Sequence, residues 1–261
     1  MVKNSLEENV NAVRGLVVGH GADSNETTPA EFTRVPLLDQ ARCRQVRDAL
    51  YVRRDACIQR APDLPFFTFG AASYLDAQQN LAAYHALARR TAPLLAAEFG
   101  WLHERLAQTL SRHLGQPADC EHGFALPGFH VFLAHPAFEQ PIGSVHWDAQ
   151  HLLLDWPPAP RTDFSRPVSF TLAIALPKAG AGLNYWEFEW GEDVAIPPDA
   201  VRELVGRMPM HFLEYHVGEL VIHSGRLVHQ IAPGKNLQPD DERITLQGHA
   251  LFSDGRWKLY W

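Results

Sequence analysis

Up to about residue 120, apolar positions recur every three or four residues, the spacing of an amphipathic helix. In PLLDQARCRQVRDALYVRRDACI the apolar set is Leu37, Leu38, Ala41, Val46, Leu50 and Ile58. LDAQQNLAAYHALARRTAPLLAAEFGWLHERLAQTLSRHLG repeats the pattern over a longer span. Pro93 and Gly100 predict interruptions within it, and Gly115 and Pro117 predict its end. Beyond residue 120 the texture changes to short apolar segments separated by Gly, Pro and Asp turns. FHVFLAH, GSVHWDA, VSFTLAIAL, LNYWEFEW, MHFLEYHV, ELVIHS, RLVHQI and RITLQGHALF read as strands, and SDGRWKLYW as a turn followed by a last strand. This many short strands suggest a sandwich or barrel, with the helices on one outer face. The expectation is one α+β domain over 1–261, mainly helical support over 1–120 and a β core over 121–261. GHGADSNETTPAEFTRVP reads as a polar loop or mobile cover.

Bulk properties narrow the function classes. The 261-residue chain is 46% apolar, enough to bury a sizeable core without staples. Its formal net charge of -7 and lack of a long Lys/Arg run argue against a nucleic-acid partner. The basic residues of RCRQVRDALYVRR are interleaved with apolar ones, as on a solvated helix face. MVKNSLEENVNAVRG lacks the apolar core of a secretory signal, and no run approaches the ~18 apolar residues of a membrane span. Cys43, Cys57 and Cys120 form no CxxC pair, as expected of reduced thiols in a cytoplasmic protein.

Candidate chemistry begins with SVHWDAQH. Burying ionisable groups costs several kcal/mol unless they are paired or bind metal. On a strand His146 and Asp148 project together, with Trp147 on the other side. HxD alone is expected by chance in a chain with 14 His and 30 acidic residues. His229 lies within the apolar segment RLVHQI, where a hydrogen-bonded core histidine is the ordinary reading. Arg243 and Thr245 follow, again two residues apart. An Arg inside an apolar strand is costly unless an anion meets it, and a guanidinium beside a hydroxyl suits a carboxylate.

The ordered set His146-Trp147-Asp148, His229 and Arg243-Ile244-Thr245 resembles the Fe(II)/2-oxoglutarate-dependent oxygenases, which are built on a double-stranded β-helix, a jelly-roll or cupin-like barrel. VSFTLAIALPKAGAGLNYW resembles that family's central strand and Gly-rich turn, and GELVIHSGRLVHQI the strand pair that carries its distal His. The resemblance covers about residues 125–255. It implies that His146, Asp148 and His229 ligate Fe(II), leaving open positions for 2-oxoglutarate and O2. Arg243, with Thr245, would hold the far carboxylate of 2-oxoglutarate, and the products would be succinate, CO2 and a hydroxylated substrate. Family members that halogenate carry Gly or Ala where this chain has Asp148, so halogenation is not implied.

Several further residues enter as expectations. His130 and Phe132, and Asn184 and Trp186, either line the cosubstrate pocket or pack as ordinary core. Gln150 shares the inward face with Asp148, while His151 points away and is structural. His211, His216 and His223 are alternatives to His229, with His223 on the wrong side of a turn. Trp147, Trp156, Tyr185, Trp186 and Trp190 are candidates to wall a small-molecule pocket, with a free amino acid or natural-product intermediate as substrate. WGEDVAIPPDAVRELVGRMPM and the N-terminal loop are candidate lids. Two other readings keep the barrel: a cupin-like dioxygenase or isomerase that does not use 2-oxoglutarate, and a non-catalytic binding protein.

Overall fold

The computed structural model describes residues 31–141, 143–189 and 198–261. Most of the N-terminal loop lies outside them, as do Trp190 and the rest of the first part of the candidate lid WGEDVAIPPDAVRELVGRMPM. Helix α1 (Gln40–Val52) starts where the Asp39 side chain accepts the Arg42 backbone N–H at 2.8 Å. It buries Cys43, Val46 and Leu50. A one-turn helix, α2 (Ser73–Asp76), leads into the long helix α3 (Leu81–Leu114). The Asn80 side chain caps α3 at its start, and Gly115, at φ 72°, ends it in the left-handed conformation. The expected breaks at Pro93 and Gly100 do not occur. A proline inside a helix costs about 3 kcal/mol and a glycine about 1. Burial of Tyr84, Ala88, Leu95, Phe99, Leu102, Leu106 and Leu110 along one stripe outweighs both.

The strands are β1 (Thr33–Pro36), β2 (Ile58–Ala61), β3 (Leu64–Phe69), β4 (Ala118–Cys120), β5 (Gly128–Leu133) and β6 (Thr162–Ala175). They continue with β7 (Leu183–Glu189), β8 (His211–Leu213), β9 (Glu219–Ser224), β10 (Leu227–Ile231), β11 (Glu242–Ser253) and β12 (Arg256–Tyr260). Helix α4 (Pro198–Val205) lies between β7 and β8. Among the described residues the larger sheet runs β1-β9-β6-β11-β5-β3-β2, with β12 on β11 and β4 on β12. The smaller sheet runs β10-β7-β8, and neither sheet closes. All pairings are antiparallel except β12 with β4. The region expected to be mainly helical thus contributes β1 and β3 to the central sheet, against β9 and β5. LPFFTF, six residues between turns, is too short for its period to declare itself.

Register divides the larger sheet into two faces. Phe129, Leu246, Leu172 and Leu220 are cross-strand neighbours on β5, β11, β6 and β9, all fully buried. They form one core cluster with Leu95, Phe99, Leu102 and Leu106 of α3, so the helices pack on this face as expected. Leu102→Ala, which empties a fully buried position in that cluster, is expected to cost about 2–5 kcal/mol of stability, read by chemical denaturation. The opposite face carries polar groups: His130 beside Thr245, and His249, Ser169 and His223 in a row across β11, β6 and β9.

Candidate metal centre

GSVHWDA, expected to be a strand, is not one. His146 makes a single bridge to His229 (N–H···O 3.0 and 2.8 Å), and the Asp148 N–H then reaches the Gly225 carbonyl at 2.7 Å. Alternation survives without a ladder. Val145 and Trp147 turn into a cluster with Trp186, Val228 and α4's Val201 and Val205, while His146 and Asp148 turn the other way. Residues 150–153 form a 3-10 turn.

Three ligand atoms converge, one each from His146, Asp148 and His229, all within 4.8 Å of one another. The Nε2 atoms of His146 and His229 each lie 3.7 Å from an Asp148 oxygen. Each ring faces a backbone carbonyl with Nδ1: Ser144 at 2.8 Å for His146, Leu227 at 2.9 Å for His229. A carbonyl only accepts, so Nδ1 carries the hydrogen and Nε2 presents its lone pair inward. Asp148 is held at both oxygens, by Gln150 Nε2 at 2.9 Å and by Ser169 Oγ. Ser169 Oγ also lies 3.3 Å from His249 Nδ1.

Burial pushes both histidines below the ordinary imidazole range, so they are neutral at pH 7. For Asp148 burial pushes upward, but His229, His249, His146 and His223, when cationic in acid, outweigh it and hold the carboxyl well below its usual range, so it is ionised at pH 7 where the rings are neutral. A desolvated carboxylate facing two nitrogen lone pairs is a proton-free donor set in need of a cation. Two imidazoles and one carboxylate are the donor types of a non-haem Fe(II) site. These residues fit such a metal.

Arg243 is the complementary feature. Its side chain is buried (6% exposed), with Nε donating to the Ala181 carbonyl at 3.1 Å and Nη1 to Thr245 Oγ1 at 3.3 Å. Nη2 is buried without a partner, and among the described residues no carboxylate pairs with the guanidinium. The Ala181 carbonyl is delivered by the Gly-rich turn, where Gly180 lies at φ 75° and Ala181 at φ 57°. A side chain on Gly182 would meet the Leu213 carbonyl at 2.1 Å, so only glycine fits there. Half-buried Tyr74 and buried Tyr215 each lie within electrostatic reach of both Arg243 and Asp148.

His130 is buried on the same face, paired with Thr245 in register and hydrogen-bonded to Tyr74. Phe132 lies under the Arg243 guanidinium at 5.7 Å. Asn184 is not brought to this group: it pairs with Gln230, one residue off the Tyr185–His229 pair, and so projects from the opposite face of the smaller sheet. Trp186 joins it there, against Trp147. His151 is buried against Phe164. His223 is closer than its place before a turn suggests: the chain changes sheets at Gly225, leaving its ring 5.1 Å from that of His229. Sequence reasoning missed Ser169, His249, Tyr74 and Tyr215. The first two were within reach, because Arg243, Thr245, Gln247 and His249 share a period of two, as do Ser169, Thr171 and Ala173.

No protein-family model matches the chain, and no curated protein sequence matches it. Solved structures do. The chain is similar to an N-substituted L-amino acid dioxygenase from Burkholderia ambifaria AMMD at 14% identity and TM-score 0.55, over 96% of this chain and 91% of that one. The complex of such a dioxygenase from the same organism with α-ketoglutarate (2-oxoglutarate) aligns at 13% identity and TM-score 0.54, over 96% and 90%. The chain shares its fold with these dioxygenases. This agrees with the resemblance drawn from the HxD, distal His and Arg-x-Thr pattern. No described helix is long and apolar enough to cross a membrane.

Within this fold Ser169→Ala leaves one Asp148 oxygen without its donor. Partners of ligating groups are commonly worth about 10–100-fold in metal affinity. Competition with a chelating dye is expected to show a loss in that range, and Ser169→Thr, which keeps the hydroxyl, to restore most of it.

Proposed function

We propose that the protein is a non-haem Fe(II)- and 2-oxoglutarate-dependent dioxygenase that hydroxylates a small molecule, releasing succinate and CO2. On this reading the two sheets are the walls of a double-stranded β-helix within a single domain spanning 1–261. His146, Asp148 and His229 hold the iron. Arg243, assisted by Thr245, receives the far carboxylate of 2-oxoglutarate, with His130 and Tyr74 beside it. Asn184 is dropped from the cosubstrate pocket. The bound iron would supply activation of O2 coupled to decarboxylation of the cosubstrate.

The observation that carries the reading is the pair of uncompensated charges on one interior: an ionised Asp148 among neutral imidazoles, and a buried Arg243 with one guanidinium nitrogen unengaged. Fe(II), Asp148, dianionic 2-oxoglutarate and Arg243 together sum to zero charge, which a low-dielectric interior tolerates far better than either isolated ion. The chain's own contribution is positional. Backbone carbonyls lock two imidazoles in one tautomer, Ser169 and Gln150 hold the carboxylate, and the Ala181 carbonyl and Thr245 hold the guanidinium. A cytoplasmic setting is part of the proposal, supported by three free cysteines.

Anaerobic addition of Fe(II) and 2-oxoglutarate is expected to produce the visible iron-to-cosubstrate charge-transfer band, absent with either alone. Stoichiometric iron binding without that band would sink the 2-oxoglutarate assignment and favour a cupin-like enzyme.

A further inference from the structure

Facing the metal-ligand group, the larger sheet presents His249, Ser169 and His223 side by side on adjacent strands. The two histidines flanking Ser169 are not ligands in the converging triad. Their tautomers follow from their partners. His223 Nδ1 lies 2.8 Å from the Ser224 carbonyl, so it carries the hydrogen and leaves Nε2 as a bare acceptor. Ser169 Oγ gives its only proton to the ionised Asp148, so it accepts from His249 Nδ1, which leaves the Nε2 of His249 bare as well. Among the described residues nothing donates to either Nε2. The Nε2 of His211, on the facing smaller sheet beside Tyr185, is buried with no hydrogen-bond partner. Phe32 closes the edge, with its ring 4.8 Å from Tyr185 and 5.8 Å from His223.

Toward the metal-ligand group this wall therefore offers the bare Nε2 atoms of His223 and His249 beside aromatic rings. A carboxylate or phosphate placed against these two nitrogens would meet lone pairs, whereas a hydroxyl or amine finds an acceptor and an amine also finds ring faces. Resting on the function proposed above, we propose that His223 is the substrate-selecting residue of this enzyme: its Nε2 accepts a hydrogen bond from an amine or hydroxyl near the substrate's reacting carbon. The position fits that role, because His223 lies one ring away from the ligand His229. The substrate class is then a small molecule bearing an N–H or O–H donor close to the oxidised position, with any carboxylate elsewhere.

The test is nitrogen NMR of histidine-labelled protein loaded with Zn(II) as a diamagnetic stand-in and with 2-oxoglutarate. The His223 signals are assigned by their disappearance in His223→Gln. Nε2 of His223 is expected to resonate as an unprotonated nitrogen. It should move on addition of methylammonium or of ethanol but not of acetate, and the more effective of the two donors identifies amine or hydroxyl as the recognised group. A protonated Nε2 at the outset, a response to acetate, or no response to either donor would overturn the proposal. The metal reading is judged separately in the same spectra, by whether Zn(II) shifts the Nε2 signals of His146 and His229. Once a substrate is found by succinate release, His223→Leu is expected to raise its KM about tenfold, the loss of one buried hydrogen bond. His223→Gln, which retains an acceptor, should recover most of that loss, with the charge-transfer band unchanged in both variants. An unaltered KM in His223→Leu would also overturn it.

Discussion

Replacing Arg243 with Met is expected to move two measurements in opposite directions. In the protein without metal or cosubstrate the guanidinium is a desolvated cation whose Nη2 has no partner. Stranding such a charge costs several kcal/mol, while the two hydrogen bonds it makes, to Ala181 and Thr245, return about 1 kcal/mol each. A well-packed Met of similar length removes the penalty, so the ligand-free variant should melt higher than the wild type by a few degrees. Binding of 2-oxoglutarate to the metal-loaded protein should fall by about 2–5 kcal/mol, from thirtyfold to several thousandfold in Kd, because the cosubstrate carboxylate loses its counter-charge. Arg243→Lys should recover little, since an ammonium cannot reproduce the planar fork that meets a carboxylate at two points. Calorimetric titration and thermal melting of the same preparations decide the matter. A variant that binds 2-oxoglutarate as well as the wild type would remove Arg243 from the cosubstrate site.

Asp148→Ala carries the second large effect. A ligand that binds only the folded state at a hundred times its Kd adds about 2.7 kcal/mol of stability. For a chain of this size that raises the melting temperature by about 5–10 °C. Wild-type protein is expected to show this shift with Fe(II) under anaerobic conditions. The variant should show none, because two imidazoles 4.5 Å apart between ring centres remain without the carboxylate that balances the ion's charge. Affinity should fall more than the ~100-fold typical of losing a partner to a ligand. An undiminished metal-dependent shift in Asp148→Ala would show that the ion sits elsewhere.

The parts of this molecule that could be read from its sequence are those where one residue's period dictates one contact. The alternation of β5, β6, β9, β10 and β11 was visible because each carries several apolar residues on one face. His146, Asp148, His229 and Arg243 stood out because ionisable groups inside such segments demand an explanation, and Thr245 because it follows Arg243 by two residues. What stayed hidden depends on the company a residue keeps across strands. Asn184 looked equivalent to its neighbours until its pairing with Gln230 set it on the opposite face. His223 looked misplaced because a turn separates it from His229, and nothing local reveals that the chain changes sheets there. Pro93 illustrates the reverse error: a local breaking rule of about 3 kcal/mol lost to burial of a long helical stripe, a tertiary effect.

The division of the larger sheet into an apolar face under the helices and a polar face over the candidate centre bears on how such a protein changes over time. Along β11, Ile244 and Leu246 maintain the fold, while Arg243, Thr245, Gln247 and His249, between and beyond them, lie on the polar face. Substitutions that alter the polar face can therefore accumulate at every second position of a strand without drawing on the packing that keeps it folded. A lineage built this way can diverge far in sequence and in substrate while its backbone stays recognisable.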